Sequence, residues 1–144
     1  MLLCLEFANN ILIFPVLEPW LLQLKETDSS FVFIIEGYRL FHRDRICRIR
    51  KRGGGICACV KAEIDCVIIN PVFSCEDLFE ILWLHWQYSD NTYVAAVCYH
   101  SPNPAYNVPQ FIDNITKGAE AVIPQYPAAT LFVLGDFNEL DTNF

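Results

Sequence analysis

The stretch Phe79–Tyr99, FEILWLHWQYSDNTYVAAVCY, constrains the fold more than any other part of the chain. Two apolar runs rich in aromatic and β-branched residues flank Ser89-Asp90-Asn91, whose side chains suit a tight turn. The pattern predicts strands over Phe79–Trp86 and Thr92–Tyr99, with Gln87–Asn91 as the turn between them. The next segment cannot extend the hairpin, because His100–Pro109 holds three prolines and fits neither a strand nor a helix interior. Val108–Val122 then changes period. Phe111, Ile112, Ile115, Ala119 and Val122 recur at helical spacing; Gly118 weakens that helix, and Pro124 and Pro127 close it. Leu131–Leu134 is the next strand.

The rest of the chain reads as more strands. Ile11–Leu17 is one, weakened by Pro15. Phe31–Ile35 and Tyr38–Phe41 flank a turn at Glu36-Gly37, and Arg43–Gly55 is a polar, basic loop ending in glycines. Ile56–Lys61 and Cys66–Asn70 are short strands, and Asn70-Pro71 marks a break. With no internal repeat and no linker, many strands and one helix suggest a single layered α/β or α+β domain.

Composition narrows the class. A chain of 144 residues can bury a real core, and at 53% hydrophobic and 14% aromatic it is too apolar for disorder. The mean hydropathy of +0.28 fits either a piece whose partner surface is missing or a core rich in aromatics. Met1–Leu24 carries Glu6, Asn9, Asn10 and Glu18 and lacks a basic start, so it reads as a buried element rather than a membrane span or signal peptide. The seven cysteines (Cys4, Cys47, Cys57, Cys59, Cys66, Cys75 and Cys98) form no C-x-x-C pair. Buried reduced thiols in an intracellular protein account for them better than zinc or disulfides do. The net charge is −7, yet seven of the ten Lys and Arg residues lie between Arg39 and Arg52. That segment suits either a phosphate backbone or a solvated loop.

One short motif carries chemistry. The apolar strand runs directly into Gly135-Asp136-Phe137-Asn138. Glycine permits a tight exit, aspartate supplies a base or metal ligand, and asparagine two residues on can donate an amide N–H to an anion. A turn after a strand, with Asp and Asn serving turn chemistry, explains the same residues.

The surrounding segments favour the chemical reading. GYRLFHRDR (Gly37–Arg45), KRGGGICACVK (Lys51–Lys61), FEILWL (Phe79–Leu84), YVAAVCYHSPN (Tyr93–Asn103) and PAATLFVLGDFN (Pro127–Asn138) occur in this order. Together they resemble the endonuclease domain of non-LTR, LINE-type retrotransposons, within the endonuclease/exonuclease/phosphatase superfamily. The resemblance runs from about residue 10 to the end. It implies a four-layer α/β sandwich of the DNase I-like type, of which residues 1–144 are a single incomplete domain. It also implies Mg²⁺-dependent hydrolysis of a DNA phosphodiester, a reverse transcriptase domain as partner in the same polyprotein, and a nuclear location when the parent element functions.

Residue by residue, the resemblance makes Asp136 the group that orients and activates water and Asn138 a donor to the phosphate. Tyr99 lies at the cleft with its hydroxyl near the scissile phosphate. The metal-binding glutamate is Glu18 in LEPWL, where Pro19 replaces the family's threonine; Glu26 in KETD is the weaker match. Arg43-Asp44-Arg45 resembles the family's Arg-Asp-Arg turn, with Arg43 and Arg45 toward DNA. Asn103 shapes its loop or touches substrate, while His100 is expected to be exposed, and His42 and His85 have no special partner. The family's first-strand asparagine, a further aspartate and a closing Ser-Asp-His motif do not occur in this sequence, so little nuclease activity is expected of the chain alone. A phosphatase acting on inositol phosphates or lipids shares the Gly-Asp-x-Asn motif but not the Arg-Asp-Arg and triple-glycine segments. A non-catalytic nucleic-acid-binding remnant is the third alternative.

Overall fold

A computed structural model describes residues 5–7, 11–17, 36–44, 55–71 and 78–138. Among them are β1 (Leu5–Phe7), β2 (Ile11–Leu17), β3 (Tyr38–Asp44), β4 (Gly55–Lys61), β5 (Cys66–Ile68), β6 (Glu80–Tyr88), β7 (Asn91–Tyr99), α1 (Val108–Val122) and β8 (Thr130–Asp136). They make two four-stranded sheets, ordered β1-β2-β4-β3 and β5-β6-β7-β8. The fold is mixed α/β. No helix among the described residues is long and apolar enough to cross a membrane.

Side-chain alternation builds the layers. Ile56, Ala58 and Val60 of β4 pack with Leu82, Leu84 and Trp86 of β6, Ala95, Val97 and Tyr99 of β7, and Leu134 of β8. This is the core between the sheets, with β4 over β6 and β7, and β2 approaching β8. The opposite face of the second sheet carries Ile81, Trp83, Val94, Ala96 and Cys98, covered by Phe111, Ile115 and Val122 of α1. The order is therefore sheet, sheet, helix. Burying each large apolar side chain contributes roughly 1.5–3 kcal/mol. Size complementarity refines the fit: Trp83 lies opposite Ala96, and Trp86 stacks on its partner Tyr93 with centroids 5.5 Å apart.

The hairpin at the centre is nearly as its sequence predicts, but its turn is tighter. β6 and β7 run to Tyr88 and Asn91, leaving Ser89 and Asp90 as a two-residue turn with φ of 46° and 62°. Positive φ at both positions matches the twist of paired strands but strains a side chain. Replacing Asp90 with glycine is expected to stabilise the protein by roughly 0.5–1 kcal/mol, read as a raised urea midpoint at unchanged m-value.

The helix has the predicted bounds. Asn107 caps it by accepting from the Gln110 N–H at 2.9 Å, while the Gln110 side chain accepts from the Asn107 N–H. Phe111, Asn114, Ile115, Gly118 and Val122 form its buried face, so the helix-weakening Gly118 lies on the packed side. Running antiparallel to β7, the helix returns the chain so that β8 pairs parallel with β7. Pro15 is tolerated in β2 because β1 pairs only with Ile11–Ile13, and Pro15 faces Ala58 of β4 on its other edge. Arg43, Asp44 and Gly55, expected in a loop over Arg43–Gly55, belong to β3 and β4; the residues between them lie outside the described residues. The strand expected over Cys66–Asn70 ends at Ile68. The strand expected over Phe31–Ile35 lies outside the described residues.

Candidate active site

In open α/β sheets, ligands gather beyond the carboxyl ends of parallel strands. Here those ends are Tyr99 of β7 and Asp136 of β8, which are direct partners in the parallel ladder. Both belong to the inter-sheet face: Tyr99 is in that core, and Asp136 follows Leu134 by two residues while Phe137 packs on the helix side. Three strand ends of the first sheet lie at the same end. β2 finishes at Leu17 opposite Ile56, and Asp44 of β3 pairs with Gly55 of β4. Glu18 and Arg45 follow these ends in sequence but lie outside the described residues, as does Glu26.

Asp136 and Asn138 are held by a compact set of hydrogen bonds. The Asn138 N–H donates to Asp136 Oδ1 at 2.9 Å, and Asn138 Nδ2 donates to the His100 carbonyl. The His100 N–H in turn donates to the Asp136 carbonyl at 2.9 Å. Asn138 has φ of +42°, which asparagine tolerates better than most residues. One N–H of its amide thus goes to the loop after β7, and the second remains available by chemistry for an anion. Asp136 is half-buried and Asn138 exposed, so both are open to a ligand.

Other expected residues lie differently. Tyr99 is 6% exposed and packs in the inter-sheet core, at the strand end where it pairs with Asp136. Arg43, expected to face DNA, is half-buried and donates from Nη1 to the Ile81 carbonyl of β6 at 2.9 Å, joining the two sheets. Arg39 donates to the Ile64 carbonyl and lies over the Phe41 ring. Asn103 is exposed on the loop, apart from these contacts. A hollow of about 400 Å³ opens beside Arg43, lined also by His42, Asn70 and Pro71, and does not include Tyr99, Asp136 or Asn138.

Two participants were not singled out by the sequence. Glu80 is 7% exposed, pairs with Tyr99 across β6 and β7, and accepts from the Gly55 N–H at 3.3 Å. A charged residue at an inward position of FEILWL was the available signal. His100 corrects the expectation of exposure. It is 4% exposed, with its ring 5.1 Å from Phe111 and Nδ1 3.4 Å from Tyr106 Oη. The loop folds back on α1, which sequence spacing does not reveal.

Burial holds the His100 imidazole below its ordinary pKa. His85, stacked on Tyr126, is lowered by burial too, with Asp65 opposing the shift. A histidine that binds its proton less tightly when folded favours the unfolded chain on protonation. Its contribution is complete above the unfolded value of about 6.5 and is lost as pH falls below it. The urea midpoint is therefore expected to drop between pH 7.5 and pH 5.5, and His100→Gln should flatten that drop. An unchanged midpoint would contradict this.

The four cysteines whose side chains are described, Cys57, Cys59, Cys66 and Cys98, are buried free thiols, as composition suggested. Burial raises Cys59 and Cys98 and pushes Cys66 up to about 12, with Arg39 opposing in the last case. Such thiols are poor nucleophiles and poor ligands. Among the described residues, no three His, Cys, Asp or Glu side chains converge as a metal site. Searches among family models, characterised proteins and solved structures found no match to this chain.

Proposed function

We propose that this chain is part of a Mg²⁺-dependent DNA endonuclease of a non-LTR retrotransposon, and that its three layers belong to a DNase I-like four-layer sandwich. The observation that carries the reading is the register pair Tyr99–Asp136 at the carboxyl ends of β7 and β8, on the face toward the strand that leads to Glu18. The donors are oxygens and an amide, a set that suits a hard cation such as Mg²⁺. Glu18 would hold the ion. When bound, Mg²⁺ supplies positive charge to the phosphoryl oxygens as the bond breaks.

The chain's own groups then have distinct tasks. The Asp136 carboxylate aligns the attacking water and accepts its proton. Asn138 donates its second amide N–H to a phosphoryl oxygen. The Tyr99 hydroxyl stabilises charge that develops at the same phosphate. Arg45 and the basic residues after it meet the DNA backbone, where contacts position the duplex without reading its sequence. In its parent polyprotein the nick would expose a 3′ hydroxyl to a reverse transcriptase, in the nucleus.

The test uses Mn²⁺ as a paramagnetic substitute for Mg²⁺ on the 144-residue chain. Selective broadening of the amide signals of Tyr99 and Gly135–Asn138, reversed by excess Mg²⁺ and diminished in Glu18→Gln, is expected. Broadening confined to exposed carboxylates such as Asp113 would refute the reading. A duplex oligonucleotide that perturbs the same signals in a salt-dependent way supports a DNA substrate. Perturbation by an inositol phosphate alone would point to the phosphatase.

A further inference from the structure

β7 ends at Tyr99, but the alternation of its side chains runs one residue further. Cys98 lies in the helix-side core, Tyr99 in the core between the sheets, and His100 turns to the helix side again, where its ring meets Phe111 of α1. The ladder between β7 and β8 runs on as well. In a parallel ladder, one residue bonds to two residues of the neighbouring strand, two positions apart. The His100 N–H donates to the Asp136 carbonyl at 2.9 Å, so the next rung would join the His100 carbonyl to the backbone N–H of residue 138. That N–H instead turns back to Asp136 Oδ1 at 2.9 Å, and the Asn138 side-chain amide bonds the His100 carbonyl in its place.

A side chain thus completes a backbone ladder, and this gives the amide a direction. The amide of asparagine is planar, with two N–H donors at a fixed angle. Tying one of them to the His100 carbonyl aims the other. The aim holds only while that carbonyl is held. Beyond it, Ser101–Pro104 contains two prolines, which have no N–H to give a ladder. The ring anchors residue 100 instead. It is 4% exposed, its centroid lies 5.1 Å from that of the fully buried Phe111, and Nδ1 lies 3.4 Å from Tyr106 Oη. Phe137, between the acid and the amide, meets the same Phe111 ring edge-on with centroids 6.5 Å apart. Both strand ends are moored to one residue of α1.

We infer that His100 is a positioning residue: its ring, packed on Phe111, holds the carbonyl that aims the Asn138 amide. The inference rests on the proposed reading of Asn138 as a donor to a phosphoryl oxygen, and it adds what directs that donor. His100 touches no reacting atom in this role. A side chain of similar volume that packs on Phe111 can replace it.

The experiment follows hydrogen exchange at the residue-100 backbone N–H and the Asn138 side-chain amide by NMR on the 144-residue chain, with a urea midpoint for each variant. His100→Ala removes the ring, and exchange at both positions is expected to rise about 10-fold, the effect of one net hydrogen bond. His100→Leu keeps volume and packing, and its exchange is expected within about 3-fold of wild type. Ile115→Val trims the same helix-side core one turn along α1 and should lower the urea midpoint while leaving exchange at Asn138 unchanged. A duplex oligonucleotide is then titrated into each protein. In wild type it should shift the Gly135–Asn138 signals in a salt-dependent way, and in His100→Ala its affinity is expected to be about 10-fold weaker. Should alanine fail to fold, His100→Val removes part of the contact and decides: exchange at Asn138 is expected to rise at least about 3-fold, and wild-type exchange would overturn the inference. Equal rises in leucine and alanine would show that the ring's packing does not hold the carbonyl and would overturn it too. So would a rise in Ile115→Val matching His100→Ala, which reduces His100 to general stability. A duplex that leaves Gly135–Asn138 unmoved in wild type would sink the reading of Asn138 as a phosphate donor, a failure told apart from the others by intact exchange protection.

Discussion

Gly135→Ala is expected to abolish cooperative folding. Gly135 has φ of +152°, and a Cβ at that position would stand 1.8 Å from the Cys98 carbonyl oxygen and 2.7 Å from its carbon. These are backbone atoms of β7, the ladder partner of β8 at that residue, so no side chain can swing aside. Relief requires breaking the register between Tyr99 and Asp136 or parting β8 from β7. Destabilisation above about 4 kcal/mol is expected, the range reserved for backbone conflict or large core defects. A domain at the low end of the usual range of roughly 5–15 kcal/mol would lose most of its margin. Gly37→Ala provides the comparison: its φ of +81° carries the conformational cost, but nothing lies within 4 Å of the added Cβ. That variant should lose only about 1–2 kcal/mol. Urea titrations followed by circular dichroism measure both. Similar losses in the two variants would show that conformation rather than collision rules at Gly135.

Asp136→Asn should separate chemistry from structure. The asparagine keeps Oδ1, which accepts from the Asn138 N–H, so the turn after β8 survives. The backbone bond from His100 to the Asp136 carbonyl is untouched. Stability should therefore stay within about 0.5 kcal/mol, as for substitutions that break no buried interaction. What disappears is the negative charge beside Tyr99. Mn²⁺ affinity at this end of the sheet is expected to fall by about 10–100-fold, with loss of selective broadening at Gly135–Asn138. A variant that folds normally and keeps wild-type affinity would remove Asp136 from the site. A variant that unfolds would show that the carboxylate serves the turn alone.

The central hairpin, the helix and the strand before Gly135 were legible because each depends on local order. Alternating or continuous apolar runs, the prolines of His100–Pro109 and the helical spacing of Phe111, Ile115 and Val122 act over a few residues. Element ends were less legible. Ser89 and Asp90 form a tighter turn than their composition demands, and Arg43 extends β3 because its guanidinium reaches the β6 carbonyl of Ile81. Short-range propensity dictates neither outcome.

The candidate site divides the same way. Gly135-Asp136-Phe137-Asn138 was marked by residue type, and the positive φ of Gly135 explains why glycine stands there. Glu80 and His100 were hidden. One looks like an ordinary strand glutamate and the other like a loop histidine until the sheets close and the loop packs on α1.

The sequence by itself marked the helix and most of the described strands, though not β1, and showed that an acid and an amide come after an apolar strand. Only the tertiary structure decided that Glu80, Tyr99 and Asp136 form one row, that Arg43 joins two sheets, and that His100 is buried. Local patterns fix side-chain periodicity. The partner of each strand depends on burying both faces of the second sheet at once, a condition met only when residues far apart in the chain pack together.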